Sequence, residues 1–177
     1  MRAAVKIAID RLKARADQSR KFVCDYLKLD NFIEDEPRSR NLHMLLSFSF
    51  ELVLKTKIAI LNNDKHEDEL NKYLSGLGHN LEKISKEISK TELNKLGINS
   101  VQQKMTSCNP SGGLGKKYKY YQITTVSNDL IKMEDFTDIR YGCLSSGTGL
   151  QGTAKQTEFN KTIKFLEGIS DKINLKN

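Results

Sequence analysis

Apolar residues recur at helical spacing along most of the chain. Val5, Ile9, Leu12, Ala16 and Val23 share one face, while Arg2, Lys6, Lys13 and Arg20 fall on another. That pattern predicts an amphipathic helix over residues 2–28. The acidic run and Pro37 of "DNFIEDEPRSR" break it and read as a loop. Ser39 stands where a cap would begin the next helix, which runs to about Leu61 through "LHMLLSFSFELVLKTKIAIL". This stretch is apolar almost all round, so it belongs in the middle of a bundle. Its His43, Glu51, Lys55 and Lys57 argue against a membrane span.

The polar turn "NNDKHED" leads to a short helix through Tyr73 and Leu74, which "SGLG" interrupts. A further helix starts near His79, with Leu81, Ile84 and Ile88 on one side, and Gly97 closes the helical pattern of residues 91–96. Residues 99–126 then lose the helical period. Pro110 and its neighbouring glycines read as a loop, and "KYKYYQITTV" as a strand or an extended arm. Ser127 is read as the cap of a helix over "NDLIKMEDFTDIRYGC". A last amphipathic helix carries Phe159, Ile163, Leu166 and Ile169. The fold class expected from these elements is all-α. It is a mostly antiparallel up-and-down helical bundle forming one domain over residues 1–177, with an irregular basic loop or short β-like excursion at about 99–126.

Composition narrows the functional classes. The 177 residues carry 29% charged and 38% hydrophobic side chains, the balance of a globular chain. Net charge is +7, and residues 101–126 hold four lysines and no acid. A polyanion partner is compatible with that distribution. The three cysteines, Cys24, Cys108 and Cys143, are far apart and odd in number. They fit neither a disulfide framework nor a zinc site, and point to a reducing cytoplasm without a metal. The N-terminus lacks an apolar signal core.

Two glycine-rich stretches invite a phosphate-loop reading and fail it. "SSGTGLQGTAK" places Gly147, Gly149 and Gly152 in dinucleotide-fingerprint spacing, but too little chain follows to supply the second parallel strand. In "PSGGLGKK", Pro110 stands where the first glycine of a P-loop belongs, and Lys117 where Ser or Thr would hold magnesium. No cofactor is expected. "KKYKYY" is a different matter. Lys116, Lys117 and Lys119 can contact phosphates, and Tyr118, Tyr120 and Tyr121 can stack on unpaired bases.

A polar cluster is expected on the central helix. Glu51 and Lys55 are one turn apart on its most apolar part, and a carboxylate there must find further partners. His79, Asn80 and Arg140 are the candidates. The expectation is that Glu51 meets at least one of His79 and Arg140 as well as Lys55.

The segments "FELVLKTKIAI", "LGHNLEKI" and "FTDIRYG" resemble the pattern of the HEPN-type helical-bundle superfamily over roughly residues 40–165. The resemblance implies a bundle that often dimerises. Many such proteins are ribonucleases or toxin components of microbial defence and toxin–antitoxin systems, and others bind RNA or act as scaffolds. Active members pair an Arg with a His a few residues later on a late helix. Here "RSRNLH" sets Arg38 and Arg40 ahead of His43, but early in the chain, and no His follows Arg140. Two readings therefore stand. One is an RNA-associated protein or metal-independent ribonuclease using His79, Arg140 and Glu51, or else Arg38, Arg40 and His43. The other is a non-catalytic module that dimerises or binds a protein partner. Neither involves a membrane.

Overall fold

A computed structural model describes residues 3–28, 36–108, 116–134 and 156–174, with the backbone alone at 36–40, 106–108, 116–118, 134, 156 and 174. The element order is α1 (Ala3–Leu27), α2 (Glu36–Leu61), α3 (Glu67–Gly76), α4 (Leu81–Lys86), α5 (Lys90–Lys95), β1 (Ile98–Cys108), β2 (Lys116–Thr125), β3 (Leu130–Glu134) and α6 (Gln156–Asn174). The amphipathic first helix and the nearly all-apolar second helix form where their periodicity places them. The second begins at Glu36, ahead of Ser39, with Pro37 in its first turn, where a missing N–H costs nothing.

The all-α expectation is overturned. β1, β2 and β3 form an antiparallel sheet in that order, so the fold is mixed. Of the two forms expected for the basic segment, an irregular loop or a short β-like excursion, its described residues take the β form, as the regular strands β1 and β2. The helix expected from Ser127 is absent over the described part of that segment, where β3 stands instead. Its sequence alternates, with Ile131 and Met133 buried and Lys132 exposed, which is a strand period rather than a helical one. Ser127 caps a turn, not a helix. Its hydroxyl donates to Asp129 Oδ2 (2.8 Å), Asp129 N donates to Thr125 Oγ1 (3.0 Å), and Asn128 takes a left-handed φ of 65°. Asparagine tolerates that conformation better than most residues, which allows the tight β2–β3 connection.

The sheet's inner face is set by register. Val101 pairs with Ile123 and Ile123 with Ile131, while Gln103 pairs with Tyr121 and Tyr121 with Met133. A register shift between Ile98 and Ser100 lets both Ile98 and Val101 point inward although they are three apart. This face joins the helical core through contacts of β3 with α2 and of β1 with α4 and α5. α2 is the hub, packed on α1, α3, α4 and α6. Along it Phe50, Leu54, Ile58 and Ala59 are fully buried.

Polar groups on the buried helix are all the more constrained. Ser49 Oγ donates to the Ala16 carbonyl of α1 (2.9 Å), and Thr56 Oγ1 to the Leu52 carbonyl one turn back (2.7 Å). Lys57 reaches Glu92 of α5 at 2.5 Å, and Lys95 bonds the same carboxylate. These lysine hydrogen bonds, Lys57's first, hold the Glu92 carboxyl down at about 2. None of the described helices is long and apolar enough to cross a membrane.

Candidate functional site

Glu51 is buried in the central helix, and its surroundings match the expectation from the sequence. Lys55 Nζ donates to Glu51 Oε1 at 2.7 Å, and His79 Nδ1 lies 3.1 Å from Oε1 and 2.9 Å from Oε2. A carboxylate paired with an ammonium only accepts hydrogen bonds, so Nδ1 carries the proton and donates. In the neutral ring the lone pair then belongs to Nε2.

The loop between α3 and α4 makes this geometry. Gly78 adopts φ +63°, a conformation that costs glycine nothing, and its carbonyl accepts a second bond from Lys55 Nζ (2.8 Å). The next residue, His79, is thereby turned towards α2. Glu51 is only 3% exposed at its side chain, but the His79 side chain is 45% exposed. One end of the dyad is therefore fixed in the core and the other opens at the surface. Such an arrangement orients an imidazole for proton exchange.

Asn80 turns away from the cluster. It caps α4 by accepting from Lys83 N (2.9 Å) and donates through Nδ2 to Gln103 Oε1 (3.0 Å). Gln103 N in turn donates to Glu82 Oε2 (2.8 Å), so the outer edge of β1 is stitched to α4. The Lys86 hydrogen bond and then the Gln103 amide hold the Glu82 carboxyl below the ordinary carboxylate range. The dyad and the sheet are thus joined through two adjacent residues, His79 and Asn80.

The sheet carries the second group of candidates, on its outward face. Tyr120 pairs across the strands with Lys104, and Lys132 Nζ stands 5.9 Å from the Tyr120 ring centroid. Lys104 and Lys132 are exposed and Tyr120 is half-buried, whereas Lys119, also exposed, alternates onto the face of Tyr121. Tyr121 is removed from the stacking set. It sits on the inner face and is fully buried, because side chains alternate across a strand. Lys116, Lys117 and Tyr118 lie on β2, but their side chains are outside the described residues. Lys104 and Lys132 were not singled out from the sequence. They join Tyr120 only through strand register.

Of the other expected residues, His43 alone has a described side chain. Arg140 and the glycines of "SSGTGLQGTAK" lie outside the described residues, as do the side chains of Arg38 and Arg40. His43 packs against Phe159 of α6 with ring centroids 4.5 Å apart. Its Nε2 is closed to solvent and has no hydrogen-bond partner among the described residues, and burial pushes its pKa down to about 4. That environment suits packing, not contact with a phosphate. Among the described residues no cluster of His, Cys, Asp and Glu could hold a metal ion. The chain matches no family model, no curated protein and no solved structure.

Proposed function

We propose that this chain is an RNA-associated protein in which Glu51 and His79 form an acid–base dyad for metal-independent RNA cleavage. The observation that carries the reading is the buried Glu51 carboxylate held on Nδ1 of the surface-reaching His79. In this mechanism Nε2 takes the proton of a ribose 2′-hydroxyl as its oxygen attacks the adjacent phosphorus. The bond from phosphorus to the 5′-oxygen breaks, that oxygen takes a proton from water, and Nε2 returns its own proton to solvent. The products are a 2′,3′-cyclic phosphate and a 5′-hydroxyl. A cation must neutralise the pentavalent phosphorane, the role that the HEPN resemblance gives to an arginine such as Arg140. The all-α bundle implied by that resemblance is not part of the proposal.

Cleavage of single-stranded RNA in EDTA tests it. The wild type should generate cyclic phosphate ends, and His79→Gln should slow cleavage about 100-fold or more, the usual range for a general base. Cleavage that survives in both His79→Gln and Glu51→Gln would remove the dyad from the chemistry. The Lys55 bond to the Gly78 carbonyl favours a second reading, in which the cluster only pins the α3–α4 loop of a non-catalytic interaction module.

The outward sheet face supplies RNA contacts in the first reading. Lysines bind phosphates by releasing condensed counterions, and Tyr120 offers a stacking ring. Converting Lys104 and Lys132 to Gln together should flatten the slope of log affinity against log salt by about 1.4 for a single strand. An unchanged slope would place RNA on another face.

A further inference from the structure

A groove of about 310 Å³ lies between α6 and the β2–β3 turn, away from the Glu51–His79 dyad. This is the size at which small-ligand sites begin, about 300 Å³. Its walls include Val126, Ile131 and Phe165, together with Lys161, Lys164, Lys172 and Gly168. Val126 is 54% exposed although it is apolar.

Gly168 organises this surface. It stands in the interior of α6, where alanine would be the better helix former. A Cβ at that position would meet nothing within 4 Å, so packing does not demand a glycine there. What the missing side chain leaves is open space along the groove. Lys164 and Lys172 lie one helical turn before and after Gly168, on the same stripe. Lys172 Nζ reaches across to Gly97, standing 2.7 Å from where a Cβ of that residue would be. Lys161 is already engaged, donating to the Leu130 carbonyl (3.3 Å) beside Asp129. Lys164 and Lys172 have no carboxylate partner among the described residues.

We infer that this groove binds a small organic phosphate monoester, with the phosphate over Gly168 between Lys164 and Lys172 and the organic body against Phe165, Ile131 and Val126. Two ammonium groups match the dianion of a phosphate monoester, and lysine serves phosphate as a point charge. Inorganic phosphate would leave the apolar half of the groove unfilled, so the body contributes. The inference does not rest on RNA cleavage, and the groove lies apart from the dyad.

The test is titration of the full-length ¹⁵N-labelled protein with phenyl phosphate, adenosine 5′-monophosphate and uridine 5′-monophosphate, following the amide signals of Gly97, Val126 and Gly168. At least one ester should shift them saturably, and inorganic phosphate should bind more weakly. Lys164→Gln with Lys172→Gln should weaken that ester about tenfold or more, roughly 1.4 kcal/mol. Gly168→Leu should fill the open space and abolish binding while the fold is retained, since leucine is a better helix former than glycine. The inference is overturned if none of the three esters shifts these amides up to about 10 mM, weaker than any affinity of interest. Binding that ignores both sets of substitutions also overturns it. So does a response confined to a single-stranded RNA oligonucleotide, which would make the groove part of an RNA path.

Discussion

Glu51→Leu is expected to destabilise the protein by about 3–5 kcal/mol, because it strands the Lys55 ammonium in the core. Lys55 has two acceptors, Glu51 Oε1 at 2.7 Å and the Gly78 carbonyl at 2.8 Å, and the substitution leaves only the second. Lys55→Met should cost less than Glu51→Leu, since Glu51 keeps the His79 Nδ1–H. The double variant Glu51→Leu, Lys55→Met removes both charges and should return to within about 1–2 kcal/mol of the wild type. What remains is the unpaired Gly78 carbonyl and the loss of the anchor for His79. Urea unfolding at pH 7 of the four proteins forms a double-mutant cycle. Near-additive losses would mean that the two side chains do not depend on each other, contrary to their geometry.

His43→Leu is expected to raise stability and to flatten its acid dependence. His43 has its pKa depressed by burial to about 4, against an ordinary 6.5 in the unfolded chain. Between those values the unfolded chain binds the proton and the folded chain does not. Stability is therefore intact above about pH 6.5 and is lost progressively as the pH falls to about 4. The loss is on the order of 3 kcal/mol for this one group. Leucine removes that dependence, and it also removes the buried Nε2 that lacks a partner among the described residues, worth about 1–3 kcal/mol. Thermal unfolding of both proteins from pH 4 to 7.5 measures the difference. Curves that stay parallel across this range would show that His43 is not the group responsible.

Ser47, one turn from His43, also has a buried oxygen without a partner among the described residues. These two groups mark the α2 surface near α6 as a place where the fold tolerates polar defects. The Glu51 cluster, in contrast, satisfies its charges through a helix, a glycine carbonyl and a loop histidine. The second arrangement is the one whose disruption leaves an uncompensated charge, which is why its expected effect is larger.

The sequence by itself determined the helices whose buried faces repeat at 3.6 residues, because local spacing alone decides which side chains share a face. It also determined that Glu51 would need partners, and that His79, set after "GLG", could supply one. A carboxylate amid "LLSFSFELVL" carries that requirement wherever the helix packs. Tertiary structure decided the rest. The sheet was only half legible. "KYKYYQITT" reads as a strand, but its partners β1 and β3 lie on opposite sides of it in sequence and become strands by pairing with it. Strand preference depends on such neighbours more than helix preference does. Register then decided which tyrosine was available, turning Tyr121 into the core and Tyr120 towards Lys104 and Lys132. A one-residue slip would have reversed that choice. The groove at Gly168 is also a tertiary product. Helical spacing puts Lys164, Phe165 and Lys172 on one side of α6, but only the packing of that helix beside the β2–β3 turn sets Val126 and Ile131 opposite them to make a cavity.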